Sequence, residues 1–219
     1  MAYNLCDGIE FLRSLPDQSV DGIFTDPPWG SGPNIKGQKI WKKLIRQMAG
    51  ECLRILKPGA RVLIWVGSRM VGETIWACRK SLEYKTFLIC HYIPPRFIGC
   101  FYNDHDAILY FSRQGEKMFF RKGKPILQYY VNPSTGRPDT KHPCPRPIKV
   151  VRKLINQFFE PGEYVIDPFA GSDTTGVACR ELGLKYDTCE LDPEMYQSGI
   201  DRNRQSFLFE ASQQLCPQA

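Results

Sequence analysis

The sequence predicts a doubly wound α/β fold with a mostly parallel sheet. Short apolar runs typical of buried strands alternate with segments of helical periodicity along the 219 residues. Two of these runs, Val20–Thr25 and Tyr164–Ile166, lead directly into an aspartate followed by proline. Ligands of doubly wound folds bind beyond the carboxyl ends of the strands. We therefore expect the functional site at the sheet edge where these two strands end.

Strands and helices alternate in the first part of the chain. Short apolar runs predict strands at Asn4–Cys6, Val20–Thr25 and Arg61–Val66. Helical spacing of apolar residues predicts helices at Gly8–Leu15, Trp41–Leu56 and Val71–Leu82. A loop rich in glycine, Gly30–Gly37, precedes the second of these helices, and Lys57-Pro58-Gly59 ends it.

The second part of the chain continues the alternation. Apolar runs predict further strands at Phe87–Tyr92, Ala107–Ser112, Tyr164–Ile166 and Lys185–Cys189. We expect the first two of these to be an antiparallel pair at the edge of the sheet. Helices are predicted at Ile148–Phe159 and Thr174–Leu182.

The composition is that of one ordinary folded domain. The apolar fraction is 42% and the charged fraction 24%. No apolar run approaches the ~18–20 residues of a membrane helix, and the amino terminus has no basic and apolar segments of a secretory signal. Nine cysteines without a Cys-x-x-Cys pair and three scattered histidines predict neither disulfides nor a metal site.

The tetrapeptide Asp26-Pro27-Pro28-Trp29 has the groups that a planar amine-bearing base requires. The two prolines fix φ and remove two N–H donors, so the chain leaves the strand in a set direction. Asp26 offers acceptors for an amine, and Trp29 offers a flat face for stacking. Alone, the tetrapeptide fits a plain structural turn about as well as a catalytic site.

A second segment, residues 161 to 175, has the pattern strand, tight loop and helix. Asp167 stands at the end of the predicted strand, and neither a Gly-Lys-Ser/Thr nor a Gly-x-Gly-x-x-Gly phosphate loop is present. The next predicted strand ends at Glu190, where doubly wound folds hold ribose hydroxyls. This segment is therefore expected to bind a nucleoside-like cofactor.

Together the two segments resemble the amino-methyltransferases that use S-adenosylmethionine. The order, with Asp26-Pro27-Pro28-Trp29 before Asp167-Pro168-Phe169-Ala170-Gly171-Ser172, is that of the β-group DNA methyltransferases, which are circular permutations of the usual arrangement. Cys6-Asp7-Gly8, Leu56-Lys57-Pro58-Gly59-Ala60 and His142-Pro143 match as well. The resemblance implies a Rossmann-like methyltransferase fold in one catalytic domain, residues 1–219, with a seven-stranded, mostly parallel sheet and one antiparallel strand.

The resemblance also assigns the site residues. Asp26 and the carbonyl of Pro27 would accept the two protons of the exocyclic adenine amine, which frees its lone pair; Pro28 would fix the direction of that carbonyl, and Trp29 would stack on the flipped base. The activated sulfonium methyl needs positioning more than acid–base work. The cofactor would be bound by Asp7, Asp167, Phe169, Ala170, Gly171, Ser172 and Glu190. Asp7 and the other acids have an alternative interpretation as turn residues or helix caps.

Two positions depart from the family pattern. Asp173 stands where glycine is usual, so its φ is either negative or strained. Because glycine fits a tight loop more easily, the pattern predicts that Asp173→Gly binds the cofactor at least as well. Cys144-Pro145-Arg146-Pro147 replaces the usual Thr-Gln-Lys-Pro after His142-Pro143.

The segment from Arg113 to Lys149 has nine basic and two acidic residues, whereas the whole chain has a net charge of +6. Basic residues interleaved with aromatic ones favour contact with nucleic acid, although a solvated loop is an alternative. The family has its target-recognition segment in this place, and here it is a short insertion at about residues 113–141. The residues expected to contact DNA are Lys36, Arg121, Lys122, Lys124 and Arg137.

Three functions remain open at this stage. The first is a DNA adenine-N6 methyltransferase, which aspartate at the start of the tetrapeptide favours. The second is the same chemistry on cytosine N4 in DNA or on adenine in RNA. The third is a catalytically silent subunit that binds nucleic acid. The expected partners are double-stranded DNA and, with so short a recognition segment, a second copy of the chain in a homodimer. The expected location is the cytoplasm, at the nucleoid of a bacterial or phage-infected host, in a restriction–modification context.

Overall fold

A twisted sheet of eight strands forms the centre of this computed structural model. The structure describes residues 2–28, 35–98, 101–117, 127–133 and 146–215. Side chains are described for these residues except 35–38, 94–98, 101–103, 132–133 and 205–215. The strands are β1 Ala2–Leu5, β2 Val20–Thr25, β3 Leu56–Gly67, β4 Glu83–Ile98, β5 Phe101–Ser112, β6 Tyr129–Pro133, β7 Tyr164–Asp167 and β8 Lys185–Glu190.

Six helices and one short turn of 3-10 helix, Ser68–Met70, connect these strands. The helices are α1 Gly8–Ser14, α2 Ile35–Ile55, α3 Val71–Cys78, α4 Ile148–Phe158, α5 Thr174–Glu181 and α6 Pro193–Leu215. No helix of the described ranges combines the length and the apolar character that crossing a membrane requires.

The strand order across the sheet is β1-β8-β7-β2-β3-β5-β4-β6. Strand β5 runs antiparallel to both of its neighbours, β3 and β4, whereas the remaining pairings are parallel. The mostly parallel sheet confirms the predicted fold class, including the single strand that runs opposite to the others.

Two apolar cores lie on opposite faces of the sheet. Side chains of β3 alternate between them: Val62 and Ile64 point to one core, and Leu63 and Trp65 point to the other. The first core includes residues of α1, α2 and α3, and the second includes residues of α4 and α5. Helices on both faces are the defining feature of a doubly wound fold.

The structure corrects the prediction in four places. The sheet has eight described strands rather than seven, because residues 129–133 of the basic segment form β6 and pair with β4. The antiparallel pair β4 and β5 is therefore not at the sheet edge. Helix α2 begins at Ile35, inside the predicted loop Gly30–Gly37. The long helix α6 was not predicted.

Candidate active site

The acids predicted for the site lie in a row along the side of the sheet where the parallel strands have their carboxyl ends. Strands β2 and β7 are parallel neighbours, so Asp26, which follows β2, and Asp167, which ends β7, emerge side by side. Strand β8 adjoins β7 and ends at Glu190, and β1 adjoins β8 and is followed closely by Asp7. Strand order and direction alone therefore bring together four residues that are distant in sequence.

Asp167 connects the two predicted motifs through its carboxylate. The hydroxyl of Thr25 donates to Oδ1 at 2.7 Å, and the hydroxyl of Thr175 donates to Oδ2 at 2.6 Å. The backbone N–H of Phe169 also donates to Oδ1, at 3.0 Å. Burial, with a smaller contribution from the nearby charge of Asp26, raises the pKa of Asp167 to about 7, although these hydrogen bonds favour the ionised form. Asp167 thus organises the loop from within.

The carboxylate of Asp26 is held by a partner that the sequence did not indicate. Arg146 Nε donates to Asp26 Oδ2 at 2.6 Å, and Arg146 Nη2 donates to Oδ1 at 3.1 Å. This is a two-pronged guanidinium–carboxylate pair, the strong form of ion pair in proteins. Burial tends to lower the pKa of Arg146, but Asp26 outweighs this effect and the pKa stays above its ordinary value.

Arg146 is held in turn by a buried polar cluster. Its Nη1 donates to Asp106 Oδ2 at 3.0 Å, and its guanidinium carbon lies 5.1 Å from the ring centre of Trp65. The same oxygen of Asp106 accepts hydrogen bonds from Trp65 Nε1 at 3.0 Å and from the hydroxyl of Tyr92 at 2.5 Å. Asp106 reaches this edge because β5 runs antiparallel, so that its early residues pair with the end of β3. We call Asp106, Trp65 and Tyr92 the Arg146 support.

The loop after Asp167 is fixed at its glycine. The N–H of Gly171 donates to Glu190 Oε2 at 2.8 Å, and the carbonyl of Gly171 accepts from the hydroxyl of Tyr3. Glu190 Oε1 accepts the N–H of Asp192 at 2.8 Å. The N–H of Ala170 donates to the carbonyl of Cys189 at 2.8 Å. Glu190 therefore shapes the loop as well as facing it.

Asp7 is the N-terminal cap of α1 and lies beside the Asp167 loop. Its Oδ1 accepts the N–H groups of Ile9 at 2.9 Å and Glu10 at 3.0 Å, which confirms the helix-cap interpretation. Gly8 allows the close approach, since a Cβ there would lie 2.3 Å from the carbonyl oxygen of Pro168 and 2.9 Å from the Phe169 ring. Both cap bonds use Oδ1, and Asp7 is exposed.

Comparison with known proteins identifies the family. A family model described as DNA methylase matches residues 20–201. The chain belongs to the N6/N4 DNA methylase family. Its matched span contains the Asp26 turn, Arg146 with its support, the Asp167 loop and Glu190.

The chain is also similar to a named relative and to two solved structures. It is 25% identical to the DNA adenine methyltransferase YhdJ of Escherichia coli (strain K12), over 90% of this chain and 80% of that protein. The structure of the M1.HpyAVI–SAM complex superimposes with a TM-score of 0.75 at 23% identity, covering 92% and 98% of the two chains. The cytosine-N4-specific PvuII DNA methyltransferase superimposes with a TM-score of 0.75 at 18% identity, covering 92% and 85%. At these identities, the two structures show a shared fold.

Asp173 of the methylase is in the left-handed region with φ of 57°, so the strained alternative of the two is the correct one. Its buried carboxylate accepts from Thr188 Oγ1 and from Asn203 Nδ2, both at 2.7 Å. Burial raises the pKa of Asp173, against these hydrogen bonds. Asp173 thus ties the start of α5 to β8 and α6, and these bonds offset the cost of a left-handed aspartate.

The side chains predicted to contact DNA lie outside the part of the chain that the structure describes. Trp29, Arg121, Lys122, Lys124 and Arg137 lie outside the described residues, as does the side chain of Lys36. Two other cations of the basic segment have structural partners: Arg146 pairs with Asp26, and Arg113 Nη1 donates to the carbonyl of Leu56 at 2.9 Å. The charge of this segment therefore overstates the cations that are available to DNA.

The described cysteines are free thiols, and burial raises the pKa of Cys52, Cys78 and Cys90. Within the described ranges, no group of three or more metal-ligating side chains comes together.

Proposed function

We propose that the methylase transfers a methyl group from S-adenosylmethionine to the N6 amine of a flipped-out adenine in double-stranded DNA, by direct in-line attack. The observation that carries the proposal is the place of the Asp26 carboxylate, one strand away from the loop that begins at Asp167. The adenine methyltransferase YhdJ, similar along most of its length, supports adenine as the target. The order of the two motifs supports membership of the permuted β group, within one catalytic domain of residues 1–219.

The chain offers suitable groups for the cofactor. Glu190 accepts the N–H of Gly171 in the Asp167 loop, and Asp7 caps the helix whose Gly8 lies against Pro168 and Phe169 of that loop. In this proposal Glu190 accepts ribose hydroxyls and Asp7 accepts the adenine amine. The loop residues Phe169, Ala170, Gly171 and Ser172 border the rest. S-adenosylmethionine supplies an activated methyl group, and two nearby carboxylates, Asp26 and Asp167, suit its positive sulfonium centre.

The target amine would be bound at the Asp26 turn. Asp26 accepts one amine proton and the carbonyl of Pro27 accepts the other, while Pro28 restricts the direction of that carbonyl. These acceptors draw the amine nitrogen out of conjugation with the ring and expose its lone pair. Trp29 stacks on the base, a contact worth about 1–3 kcal/mol. The reaction therefore depends on how accurately the chain positions Asp26.

Cytosine N4 is the second candidate target. The shared fold with the cytosine-N4-specific PvuII enzyme favours it, because the same acceptor pair suits any exocyclic amine. Adenine and cytosine present the same kind of amine to these acceptors. Identifying the methylated base therefore distinguishes the two targets.

The decisive experiment incubates the purified chain with S-adenosylmethionine labelled in its methyl group and with unmethylated duplex DNA, single-stranded DNA or RNA. The nucleic acid is then digested to nucleosides, and the labelled product is identified by mass spectrometry. N6-methyladenine in DNA is the expected product, and Asp26→Asn is the inactive control. N4-methylcytosine or methylated RNA would select the alternatives. Cofactor binding without any labelled base would indicate a silent subunit.

DNA binding would involve the insertion at about residues 113–141. We propose that Lys36, Arg121, Lys122, Lys124 and Arg137 contact phosphates, since basic side chains supply most of the affinity for DNA. So short an insertion suits a short recognition site or a homodimer that adds contacts from a second copy. A nucleoid-associated cytoplasmic location in a bacterial or phage-infected host follows from this substrate.

A further inference from the structure

We propose that Arg146 is a positioning residue for methyl transfer: it fixes the plane of the Asp26 carboxylate for the incoming amine. The inference rests on the proposed function, because it assigns Asp26 the acceptor role. It concerns a residue on a different element, since Arg146 stands just before α4 and is 120 positions from Asp26.

The geometry of the pair supports orientation. Two bonds, at 2.6 and 3.1 Å, join different nitrogens of one planar guanidinium to different oxygens of the carboxylate. A carboxylate held at both oxygens cannot rotate about its own axis, whereas one held at a single oxygen can. The Asp26 side chain is 25% exposed and that of Arg146 only 11%, so the open side of the pair is the aspartate.

The Arg146 support keeps the guanidinium in place. Asp106, 5% exposed at its side chain, takes the third bond at 3.0 Å, and Trp65 covers the guanidinium face. Burial and the Asp106 charge raise the pKa of Tyr92, so its phenol remains a hydrogen-bond donor to Asp106. One cation between two carboxylates leaves an excess negative charge at this edge of the sheet, where a sulfonium would be favoured.

The pair still permits the acceptor role. A carboxylate oxygen can accept more than one hydrogen bond, as Asp106 Oδ2 does, so the bond from Arg146 to each oxygen of Asp26 does not by itself exclude the amine. In this arrangement Asp26 acts on the amine as a hydrogen-bond acceptor, and the reaction does not require it to remove a proton before the attack. The opposing idea is that Arg146 blocks Asp26 and has to leave before the base enters.

The test compares full-length wild type with Arg146→Ala, Arg146→Lys and Tyr92→Phe. Single-turnover methyl transfer to duplex DNA, cofactor affinity by calorimetry and the melting temperature are measured for each. The matched control is Arg152→Ala on α4, which breaks a surface ion pair with Glu181 of α5. We expect Arg146→Ala to slow transfer at least about 100-fold and Arg146→Lys about 10-fold, because lysine cannot hold both oxygens of Asp26. Cofactor affinity should stay within about threefold, since Arg146 bonds Asp26 and not the Asp167 loop.

Rescue separates positioning from structural support. Guanidinium or methylguanidinium in the buffer should restore part of the rate to Arg146→Ala, at concentrations that leave wild type and Arg152→Ala unaffected. Tyr92→Phe loosens the support without touching Asp26, so it should slow transfer by a smaller factor at unchanged cofactor affinity. Both results would support the inference even if Arg146→Ala itself is less stable.

Three outcomes would overturn the inference. A faster rate in Arg146→Ala would show that Arg146 blocks the site. An unchanged rate in both Arg146 variants would show no positioning role. Loss of rate in step with cofactor affinity and melting temperature, without rescue, would show a purely structural role. If wild type itself methylates no nucleic acid, the proposed function fails, and that result is visible before any variant is compared.

Discussion

The hydroxyl of Thr25 donates a hydrogen bond to the carboxylate of Asp167 across 2.7 Å, and both residues are the last of their strands. Thr25 immediately precedes Asp26, and Asp167 opens the loop assigned to the cofactor. One buried hydrogen bond therefore sets the spacing between the two halves of the candidate site. A change on either side of this bond is expected to affect the other.

Glu190→Ala should weaken binding of S-adenosylmethionine by about 1.5–3 kcal/mol, the range for hydrogen bonds to a charged group. Part of this loss would come from the loop, because Glu190 also accepts the N–H of Gly171. Calorimetry with the purified variant measures the change. The control is Glu181→Ala on α5, whose side chain pairs with Arg152. An affinity equal to that of wild type would remove Glu190 from the site.

Asp173→Gly should destabilise the protein by about 1–3 kcal/mol, in contrast to the expectation from the family pattern. Glycine relieves the left-handed backbone at φ of 57°, but it removes the acceptor of the buried Thr188 hydroxyl and one of the two acceptors of the Asn203 amide. Urea denaturation measures the difference, and calorimetry shows whether the cofactor loop weakens with it. Asp173→Asn is the matched control, since it keeps an acceptor oxygen. A variant as stable as wild type would mean that backbone relief outweighs the lost bonds.

The sequence predicted those strands and turns that are encoded by neighbouring residues. The strands ending near Asp26 and Asp167 are short apolar runs closed by proline turns, which sequence reveals directly. The partner of Asp26 could not be predicted in this way. Arg146 belongs to a basic segment, so the sequence suggested a charge on the surface. Asp106 comes within hydrogen-bond distance of Arg146 only because β5 runs antiparallel to β3.

The missed elements have similar causes. Strand β6 has exposed Tyr129 and Val131 flanking buried Tyr130, and its sequence lies within the basic segment, so charge obscured the strand signal. Helix α6 mixes apolar and polar residues without a clear apolar face, which removes the main signal for a helix. Both elements are fixed by pairing and packing with distant parts of the chain.

Neutralising Lys122 and Lys124 to glutamine should weaken duplex DNA binding and reduce its salt dependence by about 0.9 in log–log slope for each lost phosphate contact. Affinity for the cofactor should not change. Filter binding across several salt concentrations measures both quantities. Lys149→Gln together with Lys153→Gln on α4 gives a variant with the same change in charge. An identical slope in the two double variants would show that charge alone, and not these positions, determines binding.

The contribution of Asp167 to the stability of the protein should decrease from about pH 4 to pH 7. In an unfolded chain an aspartate titrates near 3.9, whereas burial raises the pKa of Asp167 to about 7 in the folded protein. Between these values the native state binds more protons than the unfolded state, so rising pH favours unfolding. The contribution of this group is at most about 1.4 kcal/mol per pH unit within the window, and it is constant outside it.

Asp167→Asn should remove this dependence. The asparagine oxygen can accept from Thr25 and from the N–H of Phe169, and its amide can donate to Thr175, so the buried contacts have neutral equivalents. Urea denaturation of both proteins at pH 5, 6, 7 and 8 gives the difference in free energy of unfolding. We expect that difference to move steadily in favour of the variant up to about pH 7 and then to level off. Asp17→Asn, at an exposed aspartate that pairs with Arg54, is the control for a general charge effect. If Asp167→Asn and wild type lose stability in parallel, the buried carboxylate does not titrate in this range.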